Sequence, residues 1–257
     1  MVAYTERMPL KSMGPLSAPW RTGWLWCLAL LLAAPATAAE LVINSGRNEP
    51  FTTPDGQGFY DRLVPAWFAR LGLTARCVRL PSERALINAN AGTDDGNIAR
   101  IKGLEKKYPN LVRVPEVVVT FDFMVFSRVG EFPVQGWDSL APYDVGYITG
   151  WKILEKNITR TRSITRVRGP VQLFELLARG RADVVVFDRW GGLWRLRHGA
   201  VRARMLEPPL ATRQLYLYLN RRHAALVPRL AEALRAMKAD GSYARIHAET
   251  LDVLVQD

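Results

Sequence analysis

Residues 180–188 read Gly-Arg-Ala-Asp-Val-Val-Val-Phe-Asp, and this stretch decides the fold class. From Val184 to Phe187 neither face carries a polar side chain. A short run of that kind, bounded by polar residues, is covered on both sides, as a central parallel strand is. Gly180 stands where a helix stops. That helix opens at Gly169-Pro170, and Leu173, Leu176 and Leu177 form its inner face. A helix feeding a buried strand is half of a βαβ unit, and the same alternation recurs on both sides of it.

Upstream, Asp144-Val145-Gly146-Tyr147-Ile148 reads as a strand, with Thr149-Gly150 at the start of a helix. Before it lies the β-branched and aromatic run Val117–Ser127, interrupted by Asp122 and followed by Gly130 and Pro133. That pattern is expected of a strand leaving one domain for another. The first strand is Leu41-Val42-Ile43, followed by a loop holding Pro50, Pro54, Asp55-Gly56 and Gly58. A helix is expected from about residue 60 to 71, because Leu63, Trp67 and Leu71 recur on one face, and Gly72 stops it. A strand over 73–80 comes next, then a helix from Ser82, whose hydroxyl should cap it, to Gly92. Residues 94–115 read as loop and short helix. Downstream, strand Leu215–Leu219 precedes an amphipathic helix carrying Leu226, Leu230, Leu234 and Met237, ended by Asp240-Gly241. The fold class is α/β.

Of the 257 residues, the first 39 are expected to be a cleaved signal peptide. Arg7, Lys11 and Arg21 precede an apolar run from Trp24 to Ala34. Pro35 and the small residues Ala36-Thr37-Ala38-Ala39 follow. The apolar run is about ten residues, where a spanning helix needs roughly 20. Cys27 precedes most of the run, so it does not end a lipobox. The long lead makes Met8 and Met13 alternative starts. Cleavage would remove Arg7, Lys11, Arg21 and Glu6, taking the formal charge from +11 to +9. The basic residues are dispersed except in the runs 160–168 and 195–204, and no aromatic residues interleave with them for base stacking, so no nucleic-acid partner is expected. Cys77 alone would survive processing, which excludes an intramolecular disulfide. It alternates with Leu73 and Ala75 and should be a buried apolar residue. His198, His223 and His247 are scattered, so no metal and no cofactor is expected.

Three stretches carry a resemblance: Glu49-Pro50-Phe51 with Asp55–Tyr60; Gly180–Val186 before Asp188; and Leu226–Leu230 through Met237–Tyr243. In order and spacing they resemble family 3 of the bacterial periplasmic solute-binding proteins, over nearly all of the chain beyond residue 39. The resemblance implies a type II periplasmic-binding-protein-like fold, two α/β lobes joined by two hinge segments. One lobe would comprise 40–128 and 216–257, the other 129–215. It implies a monomer that closes on a small solute for ABC-type import, with an ABC permease or a membrane sensor as partner.

The resemblance also implies a site. A buried carboxylate needs a guanidinium fork and helix N-terminal N–H groups, and a buried ammonium needs a carboxylate and an aromatic face. Arg100 falls near the family's carboxylate-binding arginine, with Arg84 as the other candidate. Thr149 resembles the small polar turn at a helix start, and Asp188 matches the position that receives an amino group. Phe51 is a candidate stacking wall. Trp151 departs from the family, which has a small hydroxyl residue there, and the usual Thr-x-x-x-Arg is absent before Arg100. A periplasmic dehydratase on the same fold is the enzymatic alternative, for which Glu49 and Glu83 are the candidate acids. No Ser/His/Asp set or phosphate loop accompanies them, so a binder rather than an enzyme is expected.

Overall fold

The computed structural model describes residues 1–2, 40–199 and 201–255. The expected leader, 1–39, lies outside the described residues but for its first two. From Glu40 onward the described residues cluster as one compact unit, because a single eight-stranded sheet runs through them in the order β2-β1-β3-β8-β4-β7-β5-β6. The strands are β1 (Leu41–Ser45), β2 (Ala75–Arg79), β3 (Gly96–Arg100), β4 (Leu111–Ser127), β5 (Asp144–Ile148), β6 (Ser163–Val167), β7 (Val184–Asp188) and β8 (Arg204–Asn220). At one end β1 pairs parallel with β2 and β3; at the other β5 pairs parallel with β6 and β7. Each end is a parallel βαβ arrangement. The two long strands β4 and β8 lie antiparallel between them, β8 against β3 and β4 against β7.

Helices cover the sheet: α1 (Phe59–Ala69), α2 (Ser82–Ala91), α3 (Lys152–Asn157), α4 (Pro170–Ala178), α5 (Arg189–His198), α6 (Val227–Ala239) and α7 (Ser242–Thr250). The apolar spacing expected for α1 buries Leu63 and Trp67, and the Trp67 indole N–H donates to the Leu230 carbonyl at the start of α6 (2.8 Å). Leu230, Leu234 and Met237 are buried from α6, and Leu173 and Leu177 from α4.

Several expectations change. The segment 94–115 contains β3 and the start of β4, besides a short helical turn at Leu104–Lys106. Gly96 and Asn97 disfavour strands in isolation, but tertiary contacts override that preference. A Cβ at Gly96 would stand 2.6 Å from the Tyr218 carbonyl oxygen, and the Asn97 amide donates to the Asn44 carbonyl (3.2 Å). Ser82 does not cap α2: Pro81 holds the cap position, and the Ser82 hydroxyl donates to the Gly46 carbonyl instead (3.3 Å). The terminal strand begins at Arg204, not Leu215, and Asp122 does not interrupt β4, since it accepts from Arg189 (3.1 Å) and Thr212 (2.7 Å). β6 and α5 were not expected at all. β6 lies within one of the basic runs, and α5 contains Gly191-Gly192, which lowers helix propensity.

Candidate functional site

The carboxyl ends of β1, β3, β5, β6 and β7 open onto one cavity of about 860 Å³. Ligands of open α/β sheets bind outside these ends. Phe121 and Phe123 of β4 and Arg213 and Leu215 of β8 complete its walls.

Arg100 enters from the end of β3, and its posture is fixed by local bonds. Nε donates to the Asn97 side chain (2.6 Å) and one terminal nitrogen to the Ser82 carbonyl (2.7 Å). Asn97 is itself tied to Asn44 of β1. Nη1 is left without a protein acceptor among the described residues. Burial first, and then the nearby Arg47 charge, pull the guanidinium down to about 10, so it stays charged at neutral pH.

Asp188 ends β7 and caps α5, its Oδ1 accepting from the Gly191 N–H (2.8 Å). It is 3% exposed, and burial pushes its carboxyl up to about 6, against the pull of Arg47 and that N–H. A buried carboxylate with no cationic hydrogen-bonding partner is costly. The neighbouring Arg189 does not supply one; it pairs with Asp122 and Glu207.

Trp151 precedes α3 and forms an aromatic wall. Its ring stacks on Phe187 (5.1 Å between centroids, 13°) and meets Phe121 and Phe123 edge-on at 6.0 and 5.7 Å. The indole therefore lines the cavity without filling it. Phe51 lines the cavity while 99% of it is covered, stacked on Tyr60 at 5.1 Å. Thr149 lies exposed on the rim, and its N–H donates to the Val167 carbonyl of β6 (2.9 Å). Arg84 lies exposed on α2 and is not part of the cavity wall.

Sequence reasoning missed Arg47. It follows β1 in the cavity wall, its guanidinium 4.2 Å from the Phe121 centroid and 5.9 Å from that of Trp151. The signal was its place directly after the first parallel strand, hidden by the abundance of arginine in this chain. Glu49, two residues on, pairs across the cavity with Arg195 of α5 (3.2 Å).

The sheet order, with parallel βα units at both ends and two antiparallel strands between them, identifies the architecture. The fold is that of the type II periplasmic binding proteins. Solved structures with this fold align over most of their length. One is a probable amino-acid ABC transporter extracellular-binding protein from Bacillus subtilis, 14% identical, covering 83% of this chain and 98% of that one, with a TM-score of 0.71. Another is a putative ABC transporter binding component from Wolinella succinogenes complexed with lysine, 15% identical, covering 82% and 95%, also at 0.71. An uncharacterized protein from Shewanella oneidensis is 27% identical over 186 residues, 69% of this chain and 70% of its own. No family model matches the chain. Among the described residues, no helix is long and apolar enough to cross a membrane.

Proposed function

We propose that this protein is a periplasmic solute receptor that closes two lobes, 40–128 with 216–257 and 129–215, on a small carboxylate-bearing solute. The observation that carries this is one cavity holding a half-buried guanidinium, Arg100, on one side and a buried carboxylate, Asp188, on the other, with an aromatic wall between. Arg100 is braced by Asn97 and Ser82 and presents Nη1 to a carboxylate oxygen, the charge-assisted bond such a site needs. Asp188 and the Trp151 face suit an amino group where the solute has one. The likeness to binding components of ABC transporters favours delivery to an ABC-type permease.

Binding is favoured over catalysis by the state of the candidate acids. Glu83 accepts from the Tyr108 hydroxyl (2.9 Å) and pairs with Lys107, and these bonds hold it below the usual carboxylate range. A carboxyl so held is a poor proton donor at neutral pH. Glu49 is engaged on both sides, by Arg195 and by Arg79.

Thermal-shift and equilibrium-dialysis screens of amino acids and small organic acids test the reading. A solute binding one to one is expected. Arg100→Gln should weaken any carboxylate solute, and Asp188→Ala any amine-bearing one, each by at least about tenfold, since truncating a buried charged partner costs roughly 2–5 kcal/mol. If no solute binds, the proposal falls. Mass measurement of the protein recovered from the periplasm should place the mature N-terminus near Glu40.

A further inference from the structure

We infer that the solute carries two acidic groups, the second of them held by Arg47. This rests on the solute-binding reading of the cavity and narrows it to a chemical class.

Arg47 is set apart from the other cations around the cavity by its partial burial against aromatic faces; Arg168 and Arg213 also form no ion pair among the described residues, but both are exposed, and Arg213 donates to the Thr212 carbonyl. Arg195 is paired with Glu49, Lys107 with Glu83 and Lys152 with Glu155. Arg100 spends two of its nitrogens on Asn97 and Ser82. The Arg47 guanidinium makes no hydrogen bond and no ion pair among the described residues; its contacts are the faces of Phe121 and Trp151. Stacking of that kind uses the flat face of the guanidinium and leaves its in-plane N–H donors available. Its backbone is fixed as well: its N–H donates to the Ser45 hydroxyl (3.1 Å), and its carbonyl accepts from the Thr52 hydroxyl (2.5 Å). It lines the same cavity as Asp188 and Arg100, and its charge acts on both.

Closing the cavity would withdraw Arg47 further from water. A half-buried cation left without a partner is costly, and the cost is charged against the affinity of any solute that fails to meet it. A neutral amino acid would satisfy Arg100 and Asp188 and leave Arg47 unmet. A solute with a cationic tail would bring like charges together. A second acidic group meets Arg47 with the bidentate geometry a stacked guanidinium offers. After the local ion pairs are set aside, the half-buried Arg47 and Arg100, with the exposed Arg168 and Arg213, face the single carboxylate of Asp188, and the imbalance calls for an anionic solute. A cavity of about 860 Å³ has room for such an acid.

Calorimetric titration of the purified protein with matched acids and amides tests this: glutamate against glutamine, aspartate against asparagine, glutarate against glutaramate, with lysine as the cationic counterpart. Acids are expected to bind at least about tenfold tighter than their amides. Arg47→Gln should bring each pair within about twofold by weakening the acid alone, Arg47→Lys should keep the preference, and Arg100→Gln should weaken acid and amide together. Amides binding as well as acids, lysine binding best, or a preference that survives in Arg47→Gln would each overturn the inference and leave the receptor reading standing. Absence of binding by any solute would remove the receptor reading, and this inference with it. Circular-dichroism melts establish that the variants fold. If Arg47→Gln does not, the comparison on the unmodified protein decides.

Discussion

Asp188 is the residue whose burial most needs a reason. Its carboxyl value of about 6 lies above the ordinary 3.8 because burial disfavours the charge. Protonation therefore favours the folded state, so the contribution is most favourable below pH 4 and is lost as pH rises through 6. Above that, the native protein carries a buried charge costing on the order of 3 kcal/mol. Asp188→Asn keeps an acceptor for the Gly191 N–H and removes the charge. Its melting temperature should exceed that of the unmodified protein at pH 8, with the gap closing by pH 4 in scanning calorimetry. A group that lowers stability while it waits for a cation is what a binding site retains. The place of Asp188 in the cavity wall was legible through the family resemblance, which set it at the end of a wholly apolar strand. Arg47 was not, since nothing in a sequence distinguishes an arginine stacked on Phe121 from one on a solvated face. Arg84 shows the converse: it shares a chain segment with Arg100's partner Ser82, yet the turn of α2 carries it away from the cavity.

Among the elements, α5 shows how local rules yield to packing. It begins on the Asp188 cap and ends on Arg195, Arg197 and His198, which suit the negative end of a helix dipole. Its glycines, which argue against a helix in sequence, are required by contact. A Cβ at Gly192 would lie 1.9 Å from the Phe126 ring of β4, inside any tolerable separation. Gly192→Ala must push helix and strand apart, and a loss of about 1–3 kcal/mol is expected in urea unfolding. A loss below about 0.5 kcal/mol would show that α5 is looser than its packing implies. Such glycines record neighbours distant in sequence, as Gly96 of β3 does. These are the places where strand and helix periodicity fail, whereas β5, β7, α1, α4 and α6 follow their own apolar spacing closely.

At the scale of the whole molecule, β4 and β8 are the strands that connect the two parallel ends of the sheet. We take them as the hinge pair. The Glu49–Arg195 ion pair spans the cavity between the ends and is largely shielded, with side chains 14% and 20% exposed. Closure should then appear as a smaller radius of gyration on solute binding in small-angle scattering. Arg195→Gln should expand the solute-free form toward an open population while leaving the bound form unchanged. An unchanged radius on binding would remove hinge closure. The alternation of strands and helices revealed the α/β class, and motif order pointed to the type II binding-protein fold. The full length of β8 was hidden, because Pro208-Pro209 and the polar residues around Arg213 do not read as strand.

The ladder between β4 and β8 is not uniform. Its register slips between Arg113 and Val117, between Val117 and Val119, and between Phe123 and Val125. Regular antiparallel pairing is stiff, so a change in twist collects where pairing is already broken. Amide protons there should exchange with deuterium sooner than those of Thr120–Asp122, which lie between the slips in unbroken register. If solute slows exchange at the slips and leaves 120–122 as it was, the joint of the molecule will have been located in time as well as in space.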